Sequence, residues 1–179
     1  MSRPKAQVRD MAANWTVRTA TPGDLAGIDA LLARSYPALL KADYPASVLV
    51  TAIPLISRAN PRLLASGSYF VVETAAGDIV GAGGWTRGAP MPGTPRGRSI
   101  GHVRHVATDP RQTRKGVGRA LMDRVFATAR DAGIRQLECH STFTAQPFYE
   151  ACGFHPIKEI TVPLRPGIDF PAVHMRRLL

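Results

Sequence analysis

The sequence predicts a single-domain mixed α/β fold, helices and strands interleaved around one sheet, on three observations. A chain of 179 residues falls in the range of roughly 100–200 residues that one hydrophobic core serves. A hydrophobic share of 45% with 20% charged residues is that of a globular protein, which excludes disordered and fibrous classes. Strand and helix patterns alternate along the chain, but a tight hairpin in the middle argues against a purely parallel, doubly wound sheet.

Met1 to Ala13 is polar and reads as a loose, flexible N-terminal tail, which leaves residues 14–179 as the folded domain. Trp15 to Thr19 alternates as a short strand. Thr21-Pro22-Gly23-Asp24 starts a helix, with Thr21 as N-cap and Pro22 in the first turn, and Leu25, Ile28, Leu31 and Leu32 continue it at helical spacing. Tyr36-Pro37, Tyr44-Pro45, Ile53-Pro54 and Asn60-Pro61 are expected to break the next stretch into short helical pieces, because proline lacks the N–H and disfavours helix in the residue before it. Irregular segments of this kind shape pocket walls.

Tyr69 to Thr74 and Ile79 to Thr86 read as two strands of a hairpin turning at Ala76-Gly77-Asp78. Gly81-Ala82-Gly83-Gly84 resembles a dinucleotide fingerprint only superficially, since Trp85-Thr86 continues the strand where a helix is required. It reads instead as a glycine-rich central strand passing close to substrate or to a neighbouring backbone. A Pro/Gly loop follows from Gly88 to Arg98, then a β-run from Ser99 to Thr108. Gly116 to Ala132 is the clearest helix: Val117, Leu121, Val125, Ala129 and Ala132 form one stripe, and Gly133 stands at the C′ position. Leu137 to Ser141 is a strand, Ala145 to Ala151 a short helix stopped by Gly153, and Phe154 to Val162 a strand. Ala172 to Leu178 is expected to close the sheet as an edge.

No apolar run approaches the ~18 residues that span a bilayer, and the first residues lack the apolar core of a signal peptide. The expectation is a cytoplasmic protein without membrane attachment. Cys139 and Cys152 are too few for a disulfide framework, and no Cys/His spacing suits zinc, so both are expected as buried free thiols and no metal is expected.

The formal net charge of +10 is uneven. Between positions 96 and 119 the chain carries Arg96, Arg98, Arg104, Arg111, Arg114, Lys115 and Arg119 against Asp109 alone. Such a cluster is either a solvated face or an attractor of phosphates, in nucleic acid or in a small cofactor.

Within it lies Thr108-Asp109-Pro110-Arg111-Gln112-Thr113-Arg114-Lys115-Gly116-Val117-Gly118-Arg119, a loop between strand and helix. Its glycines allow close backbone approach, and the free N–H groups of the first helical turn carry partial positive charge, so the segment is an anion cradle with cations at its rim. It lacks the Gly-Lys-Ser/Thr of a P-loop. Thirty residues on, Ala145-Gln146-Pro147-Phe148-Tyr149-Glu150-Ala151-Cys152-Gly153-Phe154 is an aromatic-Tyr-Glu run ending in Gly-Phe.

Thr113-Arg114-Lys115-Gly116-Val117-Gly118, preceded by Val106-Ala107-Thr108-Asp109-Pro110 and followed by that second run, resembles the paired signatures of the Gcn5-related N-acetyltransferases (GNAT). The resemblance runs from about Val17 to Leu178, weakly before residue 68 and strongly from 99 to 160. Thr113 departs from the family's Gln or Arg, and Thr144 from its cofactor-binding Asn; the Thr144 hydroxyl either bonds the cofactor arm or caps the helix beginning at Ala145.

The resemblance implies a mostly antiparallel central sheet flanked by helices. It also implies acetyl-CoA as co-substrate, a small-molecule or peptide amine as acceptor, and direct attack in a ternary complex; a homodimer is compatible with it. Val106, Ala107 and Thr108 would pair with the pantetheine arm as an added strand, and a backbone N–H near Val106 or Ala107 would polarise the thioester carbonyl. Thr113, Arg114, Lys115, Gly116, Val117, Gly118 and Arg119 would hold the pyrophosphate, with Thr144 and Phe148 beside the cofactor. Tyr149 falls on the general-acid position, where a phenol near ~10 can protonate a thiolate near ~8.5. His102 falls on the position of the base, which acts directly or through water, and a histidine near ~6.5 suits that task.

Side chains alternate along a strand, so His102, Arg104, Val106 and Thr108 are expected on one face and Val103, His105 and Ala107 on the other. His105 reads as structural. Trp85, Tyr36 and Tyr44 are candidates for pocket wall or core. The acceptor pocket is expected from residues 36–64, 88–98 and the loop 164–171, and its positive surroundings suit neutral or acidic amines over polyamines. Two other readings stay open: a non-catalytic acyl-CoA binder, and a basic nucleic-acid-binding module, which lacks interleaved exposed aromatics and a recognition helix.

Overall fold

The structure is a computed structural model and describes residues 14–179; the expected tail at 1–13 lies outside the described residues. A seven-stranded sheet runs through it in the order β1-β2-β3-β4-β5-β7-β6. The strands are β1 (Trp15–Thr19), β2 (Tyr69–Thr74), β3 (Ile79–Thr86), β4 (Ile100–Thr108), β5 (Gln136–Ser141), β6 (His155–Arg165) and β7 (Ile168–Leu178). Only β4 and β5 run parallel; the other five pairings are antiparallel.

Helices cover both faces. On one lie α4 (Val117–Asp131) and α5 (Gln146–Ala151); on the other, α1 (Leu25–Leu40), α2 (Ala46–Ile56) and the single turn α3 (Pro61–Leu64). The α4 stripe buries Val117, Leu121, Met122, Val125, Phe126 and Ala129 against Phe70, Val72, Val103 and Leu137 of the sheet. Ile28, Leu31 and Leu32 of α1 pack on Tyr69, Val71, Ala82 and Ala107 from the opposite side. Thr21 caps a short 3₁₀ turn at Pro22–Asp24 that leads into α1, its backbone N–H donating to the Asp24 carboxylate at 2.8 Å.

Two expectations are corrected. Of the four prolines only Pro45 and Pro61 mark helix starts, whereas Pro37 and Pro54 lie inside α1 and α2. A proline removes the hydrogen bond to the carbonyl four residues earlier, and those residues, Ala33 and Val50, are exposed, so water can take the donor's place. The strand at 172–178 is not an edge: β7 is inserted between β5 and β6, and β6, exposed along most of its length, is the edge. Gly167, at φ 78°, makes the tight turn between them, so 164–171 is a hairpin tip with only a two-residue loop.

The glycines of β3 set how closely its neighbours approach. A Cβ on Gly83 would meet Val106 Cγ2 at 2.7 Å and Leu121 Cδ2 at 3.1 Å, and one on Gly84 would meet the Ser68 carbonyl at 2.2 Å. Of the two roles expected for this run, close approach to neighbouring backbone is the one the structure shows.

Candidate active site

β4 and β5 pair over three residues only, Ile100↔Gln136, Gly101↔Leu137 and His102↔Glu138. Beyond His102 the two strands part, and the edge of β4 that faces β5 has no strand partner among the described residues. A bulge accompanies the parting: β3 takes two steps from Ala82 to Gly84 while β4 takes three from Ala107 to Arg104, and His105 sits at φ 47°. Tyr69 fixes this point by donating its hydroxyl to the His105 carbonyl at 2.9 Å.

The extra residue overturns the expected alternation. Val103 and Val106 both pack toward α4, the Thr108 methyl approaches the start of α4, and Ala107 joins the α1-side core. His102 and Arg104 therefore share a face, but Val106 and Thr108 lie on the other.

A cavity of about 810 Å³ passes through the gap between the strands. Its first half is bounded by the loop before α4 and by α5. Val106, Ala107, Thr108, Thr113, Arg114, Gly116, Gly118, Arg119, Thr144, Phe148 and Tyr149 all line it, whereas Lys115 and Val117 do not; the Val117 side chain is buried in the core. Arg114 (φ 61°) and Gly116 (φ 85°) turn left-handed on either side of Lys115, and the N–H groups of Gly116 to Arg119 find no backbone acceptor among the described residues. Free N–H groups at the positive end of a 15-residue helix form an anion site. The absence of a side chain on Gly118 matters here, since a Cβ would stand 3.0 Å from the Phe148 ring.

The loop is anchored from below by Asp109. Its carboxylate is fully buried and accepts from Arg34 Nε at 2.8 Å, Arg111 Nη2 at 2.9 Å and the Arg111 backbone N–H at 2.9 Å. The Arg111 guanidinium, with Arg34 beside it, holds this carboxyl well below the usual range. Ser35 of α1 adds a hydroxyl bond to the Thr108 carbonyl at 2.8 Å. The helix cap expected of Thr144 is made by Thr142, whose Oγ1 accepts from the Ala145 N–H at the start of α5, while the Thr144 hydroxyl donates to the Asp43 carboxylate at 2.7 Å.

Tyr149 lies at the junction of the two halves, its ring edge-on to Phe148 and Phe154 at 5.3 and 5.4 Å. Burial, with the Cys139 thiol in hydrogen-bonding contact, pushes its pKa well above 10. Cys139 is itself pushed up to about 12 by burial, and both cysteines are buried free thiols.

The second half is bounded by α1, α2, Pro90 and the β6–β7 hairpin, with Tyr36, Leu39, Leu40, Ile56, Leu164 and Phe170 as walls. Every segment expected to build an acceptor pocket contributes. Tyr36 lines it, its hydroxyl pushed up to about 12 by burial. Tyr44 instead stacks between Phe143 and Phe170, and Trp85 is core, its indole N–H bonded to Thr128.

His102 stands on the floor at 1% exposure, with neither ring nitrogen hydrogen-bonded. Burial lowers its pKa; Glu138 opposes the shift, while Arg104, His174 and Arg96 add to it. A buried polar group without a protein partner calls for a ligand or water. His105, the residue read as structural, has its Nδ1 unpartnered too.

Sequence reasoning missed the buried carboxylate beside it. Glu138 accepts from Gln136, from Arg176 Nε at 2.9 Å and from His174. Burial, with His174 and His102 nearby, lowers His140 to about 4. The signal was the alternation Gln136, Glu138, His140 on a strand that the topology makes central. Among the described residues no group of three or more His, Cys, Asp or Glu is arranged to hold a metal ion, and no helix is long and apolar enough to cross a membrane.

A mixed sheet split by a wedge, with free N–H groups at a helix start on one side and a partly apolar pocket on the other, leaves one open strand edge along a continuous cavity. Residues 46–178 match the family described as "Acetyltransferase (GNAT) domain". The chain is 31% identical over 159 residues to aminoglycoside N(6')-acetyltransferase type 1 of Stenotrophomonas maltophilia, covering 85% of this chain and 95% of that protein. It is 33% identical over 115 residues to probable N-acetyltransferase family 8 member 5 of Mus musculus, covering 63% of this chain but only about half, 48%, of that relative. Among solved structures, yncA of Salmonella typhimurium with its cofactor acetyl-CoA superimposes at a TM-score of 0.63 and 20% identity, over 93% of this chain and 95% of that one. The chain belongs to the GNAT acetyltransferase family.

Proposed function

We propose that the protein moves an acetyl group from acetyl-CoA to a primary amine by direct attack in a ternary complex. The observation that carries this reading is the single cavity that joins the α4 helix start, Tyr149 and His102 through the gap between β4 and β5. The cradle residues fit the co-substrate: free N–H groups with Arg114 and Arg119 suit a diphosphate, and the open edge of β4 from Val106 to Thr108 suits an amide-bearing arm. When bound, acetyl-CoA supplies the activated acyl group as a thioester.

The chain's own residues have the following roles. His102, neutral at pH 7 because burial lowers its pKa, accepts the proton the amine loses, directly or through water. A backbone N–H at Val106 or Ala107, beside the bulge, polarises the carbonyl as the N–C bond forms. Tyr149, held protonated by burial, donates to the sulfur as the C–S bond breaks. Against a single nucleic-acid surface stands the fact that Arg111 is paired with Asp109 and Arg104 lines the cavity.

A thiol-release assay with acetyl-CoA and a panel of amines tests the reading. Saturable acetyl-CoA binding with no release for any amine identifies a non-catalytic binder instead. The expected pH profile of kcat/KM has an acidic limb below pH 6.5, because His102 protonates only below its ordinary value and loses its base function there. His102→Ala is expected to lower kcat by ~10²-fold and to lose that limb; an unchanged profile removes His102 as the base.

A further inference from the structure

The acceptor half contains a cation that the reaction above does not use. Arg104 lines the cavity two residues beyond His102 and on the same face of β4. Its one side-chain hydrogen bond runs from Nη1 to Thr86 Oγ1 at 3.2 Å, and among the described residues no carboxylate lies within ion-pair distance. Burial lowers its pKa and no neighbouring acid offsets the shift.

A half-buried guanidinium without a counter-ion is costly, and a protein ordinarily pairs it. The elements around it supply no partner. α1 brings Tyr36 and Leu39, the loop above brings Pro90, and β5 brings a neutral His140 together with Glu138, whose two oxygens are already taken by Gln136, Arg176 and His174. Arg96 adds a second positive charge within electrostatic reach of His102. Apart from Arg104, the polar groups on this floor are His102, with both ring nitrogens unpartnered at 1% exposure, and the histidine and glutamate of β5. Leu39, Leu40, Ile56, Val162, Leu164 and Phe170 give the walls a large apolar share, with the Tyr36 hydroxyl and, toward the end of β5, Ser141 and Thr142 as further polar lining.

We infer that Arg104 is a specificity-determining residue that pairs with a carboxylate on the acceptor, and that the acceptor is a small α-amino acid with an apolar side chain. The inference rests on the acetyltransferase reading and deepens it. Residues two apart on a strand lie about 7 Å apart, and the Arg104 guanidinium reaches back across that interval to Thr86, the β3 residue paired with His102. One zwitterion can therefore present its amine toward His102 and its carboxylate to the guanidinium while its side chain meets the apolar walls. A planar fork of donors suits a carboxylate, and an excess of positive charge works against polycationic amines.

The test measures CoA release with leucine, phenylalanine, their methyl esters, the corresponding decarboxylated amines and spermidine. The expected result is a kcat/KM for each free acid ~10–100-fold above that of its ester or decarboxylated amine, and spermidine slowest. In Arg104→Met the acid-to-ester ratio is expected to collapse toward one, through KM for the acid more than through kcat, and Arg104→Lys is expected to restore part of it. Equal turnover of acids and esters by the wild-type protein overturns the inference while leaving the acetyltransferase reading standing, and so does an Arg104→Met variant that keeps the ratio. If Arg104→Met does not fold, the wild-type ratio alone decides. No CoA release with any amine overturns the parent reading, and the inference with it.

Discussion

The two halves of the cavity are built from different materials. On the α4 side the cavity presents main chain: the N–H groups of Gly116 to Arg119 and the open edge of β4 from Val106 to Thr108. On the α1 side it presents side chains from six separate stretches, among them Tyr36, Ile56, Pro90, His102, His140 and Phe170. A backbone-built half depends on few side chains, because its geometry survives substitution wherever the glycines are kept. A half built of side chains can change acceptor by changing residues whose positions no local pattern announces. Tyr149 stands where the halves meet, so its substitution is the first test of the division.

Tyr149→Phe is expected to have the largest effect on turnover. Removing the hydroxyl leaves the ring packing against Phe148 and Phe154 intact and takes away the proton donor, so kcat should fall by ~10²-fold, about 3 kcal/mol of barrier. Acetyl-CoA affinity, measured by calorimetry, should change by less than about twofold, because the proposed reading gives the phosphate contacts to the α4 cradle. Full turnover in this variant would remove the acid assignment. A loss of affinity as large as the loss of rate would show that the two halves are not separable.

Asp109→Asn probes what holds the backbone-built half in place. The buried carboxylate joins Arg34 of α1 and Arg111 of the loop. Its low pKa means that it stabilises the fold above the ordinary carboxylate range and that this stability is lost as pH falls through and below that range. Arg111 is 78% exposed and Arg34 34%, so the pairing is screened and the expected loss is about 2 kcal/mol, or ~4–8 °C in a thermal melt at pH 7. The difference between the wild-type and Asn proteins should start to shrink as the pH falls below about 4 and close only well below the usual carboxylate range. A variant as stable as wild type at pH 7 would mean that Ser35 and Tyr69 alone hold the end of β4.

The same division explains what was legible in the sequence. Glycines at 116 and 118 before an amphipathic stripe, and an aromatic-Tyr run ending at Gly153, are short-range patterns with one structural meaning, and the strand–loop–helix unit they predicted is present as β4, the loop and α4. The bulge was not legible: His105 is an ordinary strand residue by type, and its φ of 47° is imposed by tertiary contacts at Gly83 and Tyr69. For that reason the alternation drawn through Val106 and Thr108 failed, while the pair His102 and Arg104, before the bulge, kept its shared face. The place of β7 inside the sheet was hidden for a related reason. An edge strand and an interior strand differ in which neighbours pair with them, and that is decided by segments more than 30 residues away in sequence, such as β5. Glu138 became interpretable only once His174 and Arg176 of β7 were beside it.

Gly118→Ala should show the smallest effect and discriminate most finely, because two local terms oppose each other. Alanine in the first turn of α4 gains up to ~1 kcal/mol of helix propensity over glycine. Its Cβ would stand 3.0 Å from the Phe148 ring and 3.5 Å from the Thr108 methyl, closer to the ring than ordinary packing. The ring is partly exposed to the cavity and can move a few tenths of an ångström. The melting temperature should therefore stay within ~2 °C of wild type. The displaced ring would then press into the cofactor half, raising KM for acetyl-CoA by ~3–10-fold while KM for the amine changes little. A rise in amine KM instead would place Phe148 against the acceptor and move the border between the halves. A large fall in melting temperature with unchanged kinetics would mean that the ring cannot move, and that Gly118 serves the packing of α5 on α4 before it serves the ligand.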